Sequence, residues 1–233
     1  VHDSISNVVN DQFTNITRYD YEISFADSMT AEEQAEFTES CKGLLKDCVF
    51  VISDSVNIKT GKGELAVNIV ATSDPDVCDI VRFSLNGEVV PYPGDGGIII
   101  NEKLSTLTKA KIGDYVEICL NDEETIEARV DGIFENYVNN YMFMNEKTYK
   151  NLFNNDAGYK TAYATVQGDD IYDVSARLYK EMGVNNVSVS EDIRKIVDDM
   201  MKSMNYIGGV INASASSLAF VVAYNLGNIS VVE

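Results

Sequence analysis

The chain has 233 residues, with 37 Asp and Glu against 18 Lys and Arg, a formal net charge of −19, and a hydrophobic share of 45%. That share supports a folded core, and the acidic excess argues against nucleic acid as a partner, because affinity there comes from Lys and Arg neutralising phosphates. A lone histidine, His2, removes Ser–His–Asp and Cys–His catalysis and the usual zinc sites.

In chain order, Tyr19, Tyr21, Ile23 and Phe25 alternate with Asp20, Glu22 and Ser24, which predicts a half-buried strand. TAEEQAEFTESCKGLLKDC follows, with Thr30 and Glu33 spaced as a capping box. Phe37, Cys41, Leu44, Leu45 and Cys48 then fall on one stripe of a helix. On such a helix Cys41 and Cys48 lie two turns apart and cannot bridge each other. VFVISDSVNI and ELAVNIVAT flank Thr60-Gly61-Lys62-Gly63, a hairpin, and VRFSLNGEVV carries a second at Asn86-Gly87. PYPGDGG is a loop and Ile98–Ile100 a short buried strand.

A short helix is expected around Leu104 and Leu107, a turn at Gly113-Asp114, and strands on either side of Asn121–Glu124. Asn145 caps a helix through Leu152 and Phe153, and KTAYATVQ is a strand. Asp170 caps a helix bearing Ile171, Val174, Leu178 and Met182, with Gly183 at its C-terminal end. VNNVSVS is a further strand. Ser188 and Glu191 form a second capping box, opening a helix whose stripe is Ile193, Ile196, Val197, Met200, Met201 and Met204. This pattern is α+β, with mixed and antiparallel sheets, packed helices and two lobes meeting near PYPGDGG.

The four cysteines, Cys41, Cys48, Cys78 and Cys119, contain no CxxC pair, so a metal or thioredoxin-like role is not indicated. They would allow two disulfides outside a cell, but the spacing favours buried free thiols. Val1-His2-Asp3 shows no basic start or apolar run, so the expectation is a cytosolic chain or a piece of something longer. The acidic turns SDPDVCD, NDEE and GDD offer oxygen ligands for Ca²⁺, but none has the EF-hand spacing, and solvated turns are the default. GDGG lacks the Lys-Ser/Thr of a phosphate loop. No catalytic, cofactor or metal residue is nominated.

Between Lys202 and Glu233 there is no charged residue. Tyr206–Leu226 alone is 21 residues, close to the roughly 20 that cross a bilayer as helix. Gly209, Ala213 and Ser217 give it a small-residue face for helix packing. Residues 203–233 therefore read as the start of a transmembrane helix or as a C-terminal apolar helix of a soluble core. The amphipathic helix that runs into them without a breaker favours a stalk entering a membrane.

LAFVVAYNLGNISVVE resembles the second transmembrane helix of FtsX-like ABC transporter permeases, the superfamily of MacB- and LolC-type proteins. GGIIINEKLSTLTKAKIGDYVEI and RVDGIFENYVNNYMFMNEKTYKNLF are similar to two segments of that family's extracytoplasmic domain. SISNVVNDQFTNITRYDYEI looks like its beginning, after the first transmembrane helix. Gly208, Gly209, Asn212 and the serines make this tail more polar than the family's second helix.

The resemblance implies a MacB-like periplasmic core over residues 1–202 and a non-catalytic domain on the extracytoplasmic side of a cell membrane. It implies an ABC ATP-binding subunit as partner, a permease dimer, and a role in relaying ATP-driven motion or docking a peptide, lipid or cell-wall partner. The alternative is an extracellular adhesion or ligand-binding module, for which ENYVNNYMF groups aromatics with amides; half-buried strand tyrosines are the plainer explanation of the same run. An enzyme with paired carboxylates gains no support from 37 scattered acids.

Overall fold

The computed structural model describes residues 11–231 apart from 122, 123, 156 and 169, with only the backbone described at 205 and 220–231. The fold is α+β, and one strand organises it. Strand β2 (Leu45–Thr60) belongs to two structures at once. Its first half pairs antiparallel with β10 (Tyr159–Val166), which pairs in turn with β1 (Tyr21–Met29), and β1 pairs with β11 (Val184–Val189). Its second half pairs with β3 (Gly63–Ala71) through the hairpin expected from the sequence, with Thr60 opposite Gly63.

From β3 the pairing continues through β9 (Tyr141–Met144), β6 (Gly97–Asn101), β8 (Thr125–Phe134) and β7 (Tyr115–Cys119). Strand β7 returns to β2 at Asn57–Cys119 and Ile58–Ile118, so six strands close on themselves. Alternation sorts their side chains: Ile98, Ile100, Met142 and Met144 point inward, and Ile99 and Phe143 outward. Leu104 of α3 (Glu102–Thr108) and Tyr149 of α4 (Glu146–Phe153) complete the inner core. Asn145 caps α4, its Oδ1 accepting the Thr148 N–H at 2.7 Å.

The four-stranded half buries Tyr21, Ile23 and Phe25 beneath α1 (Ala31–Ser40) and α5 (Ile171–Leu178). The capping box is formed: the Thr30 N–H donates to Glu33 at 2.8 Å and the Glu33 N–H to Thr30 Oγ1 at 3.3 Å. The helix expected to run to Cys48 ends at Ser40. Gly43, at φ +86°, turns the chain into β2, so helix and turn together deliver Phe37, Cys41, Leu44 and Leu45 to one cluster. Helix α5, capped by Asp170 as expected, stops at Leu178, leaving Met182 exposed. Cys41 is buried, Cys48 and Cys119 are half-buried, Cys78 is exposed, and all four are free thiols, so the expected burial holds fully only for Cys41.

A third cluster joins the halves: Val49, Val51, Ile99, Tyr163 and the short α2 (Val77–Ile80) surround Phe83, Phe134 and Phe143. The three phenylalanines meet edge to face, with centroids 4.9–5.5 Å apart. The lobes thus share β2 and this aromatic seam, with Tyr92 of the PYPGDGG loop only at its margin. The hairpin of β4 (Ser84–Leu85) and β5 (Glu88–Val89) turns at Asn86 and Gly87, both at positive φ, and leads to Val90 against β8. A Cβ at Gly132 would meet Val90 at 2.7 Å and Ile99 at 3.0 Å, which is why β8 carries glycine there.

Leu104→Ala should lower unfolding stability by about 2–5 kcal/mol, since the side chain is wholly enclosed. A chain ending at Lys202 should keep the wild-type midpoint, because the described positions from 203 to 219 are exposed apart from Gly208. Urea unfolding of the two variants beside wild type checks both.

Candidate functional site

Helix α6 (Ser190–Val231) runs unbroken for 42 residues. It starts one residue later than the sequence suggested: Ser188, expected as its cap, lies in β11 opposite Glu22. The Ser190 N–H instead donates to the Asp20 carbonyl at 2.9 Å, so β1 fixes the helix start. Tyr172 of α5 grips the next turn. Its hydroxyl donates to Asp192 Oδ1 and accepts from Lys195 Nζ, both at 2.7 Å, and Lys195 lies 5.2 Å from the ring centroid.

The other side of the root is held by the incoming chain. Gln12–Ile16 forms a π-helical turn packed against α6. Gln12 is buried; its Nε2 donates to Asn136 Oδ1 at 2.8 Å, and its Oε1 accepts the Tyr137 N–H at 2.8 Å. Buried Asn101 then supports the 136–140 loop, donating to the Asn136 and Asn139 carbonyls and accepting the Tyr141 N–H at 3.0 Å.

Inside this frame is a cavity of about 80 Å³, reached by Tyr19, Glu22, Asn136, Tyr141, Tyr163 and Ile193. Tyr19 stacks on Tyr163 with centroids 4.3 Å apart. Glu22 stands opposite Tyr163 across the sheet, on the face that α1 and α5 leave uncovered. Among the described residues its carboxylate makes no hydrogen bond or ion pair, and burial alone pushes its pKa up. Tyr19 and Tyr163 are held neutral, first by burial and then by nearby groups that include Glu22. Burial raises the Cys48 thiol to about 12 and shifts the other three thiols up as well, so none is a poised nucleophile.

The apolar stripe read from the sequence does not pack on the sheet but faces solvent: Ile196, Met200 and Met204 are 60%, 61% and 65% exposed. The spacing explains why. Ile193, Val197, Met200, Met204, Ile207, Ile211, Ser214 and Leu218 alternate steps of four and three, a 3.5-residue repeat suited to another helix rather than a sheet. Every charged residue of the root except Arg194 lies outside that seam and its flanks. Among the described residues no helix is long and apolar enough to cross a membrane. Most of the side chains of LAFVVAYNLGNISVVE lie outside the described residues.

No family model and no curated protein matches the chain. Solved structures similar to it include the following two. The periplasmic region of MacB from Actinobacillus actinomycetemcomitans aligns over 82% of this chain and 97% of its own, at 9% identity and a TM-score of 0.46. The extracellular domain of the ABC-type transporter YknZ from Gram-positive bacteria aligns over 72% and 98%, at 14% identity and a TM-score of 0.44.

Of the sequence candidates, ENYVNNYMF supplies Asn136, Val138, Asn139, Tyr141 and Phe143 to the cavity, so its grouping of amides and aromatics has a structural counterpart. The GDGG loop is tied to α4, the Gly96 N–H donating to Thr148 Oγ1 at 2.8 Å and Asp95 pairing with Lys147 and Asn145. No group of three His, Cys, Asp or Glu among the described residues is placed to hold a metal; Asp122, Glu123 and Asp169 of the acidic turns lie outside them. Glu22 was visible in sequence only as the polar partner in an alternating strand.

Because the folded pKa of Glu22 is raised, its contribution to stability is present below the ordinary carboxylate range and is lost as pH rises through the folded value. Glu22→Gln should therefore melt higher than wild type at about pH 7, and the two should converge near about pH 3. Thermal melts at both pH values check this sign.

Proposed function

We propose that this chain is the non-catalytic extracytoplasmic domain of an ABC transporter permease subunit, and that α6 is the stalk linking it to the membrane. The carrying observation is the root of α6: a 42-residue helix whose first turns are clamped by both lobes and whose apolar seam stays uncovered. A helix free along its length but fixed at its base is suited to transmit displacement. The ordered resemblance of four sequence segments to FtsX-like permeases supports the same reading. So do the two similar structures, the periplasmic region of MacB and the extracellular domain of an ABC-type transporter.

In this reading residues 203–233 begin the second transmembrane helix, an ABC ATP-binding subunit works on the cytoplasmic side, and the permease pairs as a dimer. The domain either relays ATP-driven motion or docks a peptide, lipid or cell-wall partner. The cavity beside the stalk favours a second reading, a ligand-binding module, which is compatible with the same placement.

Inserting Gly-Gly between Asp199 and Met200 separates relay from plain docking. It costs about 2 kcal/mol of helix propensity, too little to unfold the domain, and breaks the phase of the seam. In the intact permease, output per ATP hydrolysed should fall while ATPase assembly is retained. An unchanged ratio would sink the relay and leave the binding module.

A further inference from the structure

We propose that the cavity at the root of α6 is a binding site for an organic ammonium group, with Glu22 as its counter-charge and Tyr19, Tyr141 and Tyr163 as its walls. The inference follows from the charge balance of the site. Glu22 is the one Asp or Glu among the described residues that line it, no Lys or Arg is among them, and the tyrosines stay neutral. A half-buried carboxylate with no partner is disfavoured in its charged form, and a guest cation offsets that cost. Folding has not provided an internal partner among the described residues, although the chain satisfies its buried amides on the same walls.

The chemistry of the walls selects the class of cation. Ca²⁺ seeks six to eight oxygen ligands, commonly several carboxylates, whereas this site offers one carboxylate among rings and amides, and no group of three His, Cys, Asp or Glu among the described residues is placed to hold a metal. Aromatic faces instead attract alkylated ammonium groups, which shed water readily and gain from the ring quadrupole. Size agrees: a cavity of about 80 Å³ has room for more than one water and accepts a small methylated head. The guest would touch Ser190 and Ile193, the first turn of α6, so occupancy acts directly on the stalk base. The site stands on its own geometry and does not depend on the permease reading.

Tetramethylammonium chloride titrated into the whole chain, against sodium chloride at equal ionic strength, is the direct test. Calorimetry should show saturable binding, and NMR shifts should localise to the amides of Glu22, Asn136 and residues 190–194. Glu22→Gln keeps the shape of the side chain and should weaken binding at least about tenfold; Tyr19→Leu should weaken it severalfold. Phosphocholine and Nα-acetyl-lysine amide, run in parallel, distinguish a lipid headgroup from a peptide amine as source, and tighter binding of either supports the site. No saturable binding of any of the three, or equal binding by wild type and Glu22→Gln, would overturn it.

Discussion

A buried amide pair holds this molecule's working end together. Gln12 and Asn136 are 124 positions apart, and their side chains meet at 2.8 Å inside the protein. An amide withdrawn from water must find partners or cost roughly 1–3 kcal/mol per unpaired group. Gln12 finds Asn136, Thr17 and the Tyr137 N–H. The result is that the incoming chain, the 136–140 loop and the first turn of α6 occupy one place, and the cavity of Glu22 lies between them. Apolar packing alone would hold these pieces near one another; the amides fix their register.

The shared strand gives that clamp its reach. Since β2 is continuous through both lobes and Phe83, Phe134 and Phe143 pack in the seam, the α6 root is anchored to both lobes together. Tyr172 adds a second hold from the opposite lobe. The exposed ion pairs along α6, such as Lys202 with Asp198, are screened by solvent and add little to this.

What the sequence revealed was local. The capping box at Thr30, the turns at Thr60–Gly63 and Asn86-Gly87, and the alternation of β1 each depend on residues within a few positions, and each took the expected form. The closure of β7 onto β2 and the parallel pairings of β3 with β9 and β6 with β8 depend on distant partners, and no local signal carries them. Phe37 through Cys48 kept a helical period although the helix ends at Ser40, because a turn at Gly43 can bury the same residues. The stripe of α6 is legible in the sequence, and its 3.5-residue step is the feature that separates a helix-facing seam from a core-facing one. Half of the site was legible as well, in the amides and tyrosines of ENYVNNYMF, while Glu22 gained meaning only when β10 set Tyr163 beside it.

The claim that the amide pair fixes the α6 root to the body is most directly tested by amide hydrogen exchange across residues 191–201 in Gln12→Leu and wild type. Leucine fills similar space but leaves the Tyr137 N–H and Asn136 Oδ1 unpartnered. Exchange at the α6 root should accelerate by roughly 10- to 100-fold, the equivalent of one or two lost buried hydrogen-bond partners, while β2 and β10 keep their protection. Unchanged exchange at 191–201, with the two lobes equally intact, would contradict the account.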